Sequence, residues 1–144
     1  MKTTLRVALL SVALAVLSAA LIGCGSGKAD PAALEGSWVL ESFGGTSTLV
    51  PADATVTSEL TLKGGQVTGS GGVNSLSGTY VAKSDSSISF SQIVSTTMAG
   101  SPAANDQETK FLAALEKAKR FEFNAGKLVL GDIGNNTLLI FAKK

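Results

Sequence analysis

From residue 36 to the end, apolar and polar residues alternate in short runs, each broken off by Gly, Asn or Ser. A chain of this kind can bury one face of an antiparallel sheet and little else. "SWVLESF" (37–43) predicts a strand with Trp38 and Leu40 on one face. "ATVTSELTLKGGQVTGS" (54–70) predicts two strands turning at "KGGQ", with Val56, Leu60 and Leu62 on one alternating face. "GTYVAK" (78–83) and "SSISFSQIV" (86–94) predict two more, the second placing Ile88 and Phe90 together. "KLVLGDIGNNTLLIFAKK" (127–144) predicts a C-terminal hairpin turning through residues 131–136, where Gly and Asn tolerate positive φ.

One stretch departs from the period of two. "NDQETKFLAALEKAKR" (105–120) predicts a helix with Asn105 as N-cap and Glu108 as its capping-box partner. Phe111, Leu115 and Ala118 form a stripe suited to a sheet face. Lys117, Lys119 and Arg120 complement the carboxyl end of the helix dipole and read as a solvated helix end rather than a binding patch. The fold class expected is therefore α+β, a small curved antiparallel sheet, barrel-like, with one packed helix.

The start of the chain obeys other rules. Lys2 and Arg6 precede "VALLSVALAVLSAALI" (7–22), a charged start and an apolar run that read as an export signal. The run is short for a membrane span, which needs roughly 20 residues. "LIGC" then ends in Cys24, the sole cysteine, and closely resembles the lipobox of bacterial lipoproteins. That resemblance implies a signal peptide over residues 1–23, a diacylglyceryl thioether on Cys24, and an amino terminus acylated with a fatty acid such as palmitate. Residues 24–35, including "GSGKADPAALE", read as a flexible tether, and residues 36–144 as the folded domain. Gly25 after the lipidated cysteine favours the outer membrane, facing the periplasm, if the host is Gram-negative.

The composition narrows the chemistry. There is no histidine, which removes the commonest general base and metal ligand. With Cys24 committed to lipid, thiol catalysis and cysteine metal sites go too. The acidic residues do not cluster in a calcium-type loop, and the glycine runs lack the Gly-Lys-Ser/Thr of a phosphate loop. No cofactor, metal or catalytic residue is expected. Removal of Lys2 and Arg6 leaves 10 basic against 11 acidic residues, so no basic footprint for nucleic acid is expected either.

"GQVTGSGGVNSLSGTY" (65–80), "ISFSQIVSTTMAG" (88–100), a helix with "FLAAL" and "GKLVLGDIGNNTLLIF" (126–141) together resemble the META domain of HslJ-type heat-shock lipoproteins. "GSWVLESFGG" (36–45) is similar to that family's Trp-containing first strand. The motif residues are Gly71, Gly72, Asn74, Gly78, Tyr80, Thr96 and Met98, read as fold-specifying rather than ligand-binding. Asn74 is expected to bond loop backbone, the glycines to take unusual dihedrals, and Tyr80 to pack. Many members carry cysteines where this chain has Val73 and Gly100, and their joint loss here fits a pair that is normally bonded.

The resemblance implies an envelope protein associated with stress responses or, in some lineages, with secretion or motility. A non-catalytic envelope-maintenance protein that binds another envelope protein or a cell-wall component is the expected function. The alternatives are a carboxylate- or Ser/Lys-dependent enzyme acting on an envelope polymer, and a structural lipoprotein or carrier of small hydrophobic molecules, which would need a dry internal cavity.

Overall fold

The computed structural model describes residues 29–44 and 48–144. These residues form a 3₁₀ turn (Pro31–Leu34) and the strands β1 (Gly36–Phe43), β2 (Val50–Pro51), β3 (Glu59–Lys63), β4 (Gln66–Ser70), β5 (Ser75–Ala82) and β6 (Ile88–Ser95). A helix, α1 (Pro102–Lys117), follows, and then β7 (Arg120–Asn124), β8 (Lys127–Gly131) and β9 (Thr137–Lys143). The strands run in the order β6-β5-β4-β3-β1-β9-β8-β7, every pair antiparallel, with β2 on the end of β1.

The sheet curls until its two ends meet at one corner. Ile88 N donates to Lys119 O at 3.0 Å and Phe121 N to Ser86 O at 2.9 Å. Beyond that corner β6 and β7 part, leaving a half-barrel. Helix α1 packs against the neighbouring strands β1 and β9 in the middle of the sheet and against β6 at its edge, so it lies across the concave side. Its buried face carries Ala104, Gln107, Glu108, Phe111, Ala114 and Leu115. Phe111 meets Phe141 edge-on at 6.1 Å between ring centres.

The interior is filled by side chains that the alternating pattern sends inward. Trp38, Leu60, Leu62, Val67, Phe111, Phe121, Leu128, Leu139 and Phe141 are all essentially without solvent contact. Each such large side chain contributes about 1.5–3 kcal/mol relative to exposure. On β1 the inward set is Trp38, Leu40 and then Phe43, because a bulge between Leu40 and Ser42 shifts the alternation by one.

Several sequence expectations need correction. The helix begins at Pro102, not Asn105, and its N-cap is Ser101, whose Oγ accepts Ala104 N at 3.3 Å. Proline's fixed φ suits the first helical position, so Ser-Pro is the stronger start. The helix stops at Lys117; Lys119 and Arg120 lead into and open β7, a strand missed from sequence together with β2. Val56 lies in the bend before β3 and carries no strand pairing. The folded unit also starts before Gly36. Leu34 is fully buried, and its carbonyl accepts Trp38 Nε1 at 2.8 Å, so the end of the expected tether belongs to the core.

Candidate functional site

At the open side of the half-barrel the β4–β5 turn, the β6–α1 loop and the first turns of α1 converge on one carboxylate. Glu108 is 8% exposed and would be costly to hold as a charge there without partners. It has three. Val73 N and Asn74 N donate to Oε2 at 2.9 and 2.7 Å, and Asn74 Nδ2 donates to Oε1 at 2.6 Å. Burial pushes the carboxyl up, but these hydrogen bonds from Asn74 and Val73 outweigh it and hold Glu108 below the usual carboxylate range.

Asn74 passes the restraint onward. Its Oδ1 accepts Met98 N at 2.6 Å and Thr96 Oγ1 at 2.9 Å, and its Nδ2 also reaches Met98 O at 3.2 Å. The oxygen and the nitrogen of the side-chain amide are thus both in use, and the orientation of the amide is set by its partners. Gly71 N closes the turn on Asn74 O at 3.0 Å. Only glycine fits beside the carboxylate at residue 71, because a Cβ there would lie 2.5 Å from Glu108 Cγ. Gly72 has φ of +133°, a region that side chains disfavour.

The neighbouring helix residue repeats the device on another loop. Gln107 Oε1 accepts Asp53 N at 2.7 Å, and its Nε2 donates to Val56 O at 3.2 Å and Ser58 Oγ at 3.0 Å. Ser58 Oγ donates in turn to Gly71 O at 2.6 Å. Asn105, expected as the helix cap, instead brackets Gly100, accepting from its N and donating to its O, both at 3.1 Å.

Of the motif residues, Gly71, Gly72, Asn74, Thr96 and Met98 come together here. Gly78 and Tyr80 do not. Gly78 sits at the β5–β6 bulge beneath Ile93, and Tyr80 lies further along β5, packed on Phe90 at 6.3 Å between ring centres. Cys24 and the signal segment lie outside the described residues. Sequence reasoning missed the roles of Glu108 and Gln107. A signal was present: Glu108 stands three and seven residues before Phe111 and Leu115, on the apolar stripe itself, where a charge implies a buried partner.

Asn74, Thr96, Thr97, Met98, Ala99, Asn105, Glu108 and Thr109 line an open groove, in which the Met98 side chain is 62% exposed. Among the described residues no three Asp, Glu, His or Cys side chains gather as a metal would require. No described helix is long and apolar enough to cross a membrane. A carboxylate held down by three N–H donors is a poor proton acceptor, and what the arrangement does is fix the two loops in place.

The fold and this junction define a small α+β half-barrel protein whose helix locks the loops at its open side. The chain belongs to the META domain family, whose family model matches residues 32–144. It is similar in structure to a protein from Burkholderia xenovorans solved by NMR, with 25% identity and a TM-score of 0.66 over 80% of this chain and 88% of that one. It is also similar to a DUF4847 family protein from Bacteroides vulgatus ATCC 8482, a crystal structure at 1.00 Å, with 21% identity and a TM-score of 0.55 over 77% of this chain and 94% of that one. The second likeness is one of fold. No curated protein matches the chain.

Proposed function

We propose that this protein is a lipid-anchored envelope protein whose META domain is a rigid, non-catalytic binding module for another envelope protein or a cell-wall component. The observation that carries the reading is the use made of Glu108. The buried carboxylate, the side chain best placed for acid–base work, accepts hydrogen bonds from Val73 and Asn74 and so serves to hold loops. Asn74, fixed by that carboxylate, in turn holds the loop that presents Thr96, Thr97 and Met98 to solvent in a defined conformation, as a recognition surface requires. The carrier alternative finds less support, since Trp38, Phe111, Phe121 and Phe141 occupy the interior where a ligand would sit.

The anchor rests on "LIGC" after a charged start and an apolar run. It places the domain in the cell envelope, on the periplasmic face of the outer membrane in a Gram-negative host, and a stress-related role follows from the HslJ-type resemblance. Two experiments test the reading. Cys24→Ser should abolish fatty-acid labelling and leave the precursor uncleaved; a labelled, mature mutant would refute the anchor. A photo-crosslinking amino acid at residue 98 should trap a discrete adduct in intact cells, whereas the same group at residue 133 should not. A single Asp or Glu substitution that abolished the cellular phenotype without altering the melting temperature would instead favour the enzyme.

A further inference from the structure

The two edges of the half-barrel differ in charge. Edge strands of monomeric proteins are commonly guarded by charged side chains, because an open edge invites pairing with another chain. Strand β7 follows that rule with Arg120 and Glu122. Strand β6 does not: residues 86–105, which contain all of β6 and the loop after it, include no Asp, Glu, Lys or Arg. Val94, 63% exposed, and Met98, 62% exposed, stand on this stretch. Beyond the corner at Ile88, among the described residues, the backbone of β6 bonds only to β5.

The edge is also held ready. A bulge at Gln92, with φ of +55°, interrupts the β5–β6 register, but pairing resumes as Ser77 with Val94 and Leu76 with Ser95. Thr96 N continues it to Ser75 O at 3.0 Å. Past that point Asn74 takes over the role of a neighbouring strand, bonding both the N and the O of Met98. The segment from Ile93 to Met98 is therefore restrained on one side only. A restrained strand loses little further entropy when a second strand docks.

We infer that β6 pairs antiparallel with β6 of a second copy of this chain, forming a two-fold dimer through the segment from Ile93 to Met98. The charge pattern selects the occupant. An antiparallel self-pairing of this segment opposes no like charges and desolvates none, and it sets Val94 opposite Thr97 and Ser95 opposite Thr96 across the two-fold axis. The same operation on β7, centred on its middle residue, would set Glu122 against Glu122. The pairing shares Thr96, Thr97 and Met98 with the recognition surface proposed above, so an adduct at residue 98 of two chain masses reports the dimer and one of any other mass reports the partner.

The test uses the full mature chain carrying Cys24→Ser, so that no acyl chain drives association. Light scattering from about 10 µM to about 1 mM spans the range in which small, transient interfaces assemble. The mass should rise from one chain to two, and amide exchange at residues 93–98 should slow as it does. Val94→Lys should hold the protein at one chain at every concentration. Val81→Lys, on β5 at 59% exposure and away from the edge, should leave the dimer intact. A wild-type mass of one chain throughout, a dimer that survives Val94→Lys, or one lost equally with Val81→Lys would each overturn the inference.

Discussion

Asn74 donates from Nδ2 to Glu108 Oε1 at 2.6 Å while its own backbone N donates to Oε2 of the same carboxylate at 2.7 Å. One residue thus engages both oxygens of a buried charge and hands the other end of its amide to Met98. The helix, the β4–β5 turn and the β6–α1 loop meet in that pair, and its chemistry can be probed from either side.

Asn74→Asp removes the donor to Oε1 and places a second negative charge against Glu108. Removing one partner of a buried hydrogen bond leaves the other unsatisfied at about 1–3 kcal/mol, and more when a charge is involved. Chemical denaturation should show a loss of at least that size. Glu108→Gln keeps the shape, but its single oxygen cannot face three donors, and a smaller loss in the same range is expected. A stability unchanged in both variants would mean that the pair does not hold the loops.

The pH dependence has a definite sign. The folded-state value of Glu108 lies below the ordinary one, because hydrogen bonds to Asn74 and Val73 overcome the effect of burial. The stabilisation it provides is complete above the unfolded carboxylate value of about 4.3 and is lost as pH falls through the lower folded value. Glu108→Gln cannot titrate there. Urea melts from neutral pH down to about 3 should show the wild type losing its advantage over the variant in the acid range.

The family resemblance implies that Val73 and Gly100 stand where many members carry cysteine. A Cβ built on Gly100 would overlap Val73 Cγ2, so the two side-chain directions converge. The backbone at Gly100 is not left-handed, and a cysteine there meets no conformational penalty. The double variant Val73→Cys, Gly100→Cys should form the bond on export. It should raise stability by roughly 3–4 kcal/mol on the chain-entropy account, measured as the difference between oxidised and reduced melts. Free thiols after export, or equal melts, would show that the geometry does not close.

Leu34 tests where the domain begins. Truncating a buried leucine to alanine costs about 2–5 kcal/mol, whereas the same change in a solvated tether costs almost nothing. Leu34→Ala should therefore lower the denaturation midpoint markedly, with Ala33→Gly, at an exposed neighbouring position, as the control.

The strands and the helix stripe were legible because burial on a sheet or helix face leaves a period in the sequence. Trp38 with Leu40, Leu60 with Leu62, Ile88 with Phe90, and Phe111 with Leu115 all lie in the core as those periods require. Phe43 was harder to place, since the bulge that turns it inward depends on pairing with β9, a strand about a hundred residues away in sequence. Short β2 and β7 escaped notice for a similar reason. The two residues of β2 are too few to establish a period, and β7 follows the helix so closely that its first residue, Arg120, reads as the helix end; pairing with β1 and β8 is what makes them strands.

By itself the sequence determined the apolar start, the lone Cys24, the absence of histidine, the antiparallel α+β class and the motif glycines, because each is a property of residue types or of local spacing. Tertiary structure alone decided what Glu108 does. Locally a glutamate in the first turns of a helix suits a capping role, but the folded chain brings Val73 and Asn74, over thirty residues earlier, to within hydrogen-bond reach. A buried charge takes its role from donors supplied by distant strands and turns, and no local pattern encodes their arrival.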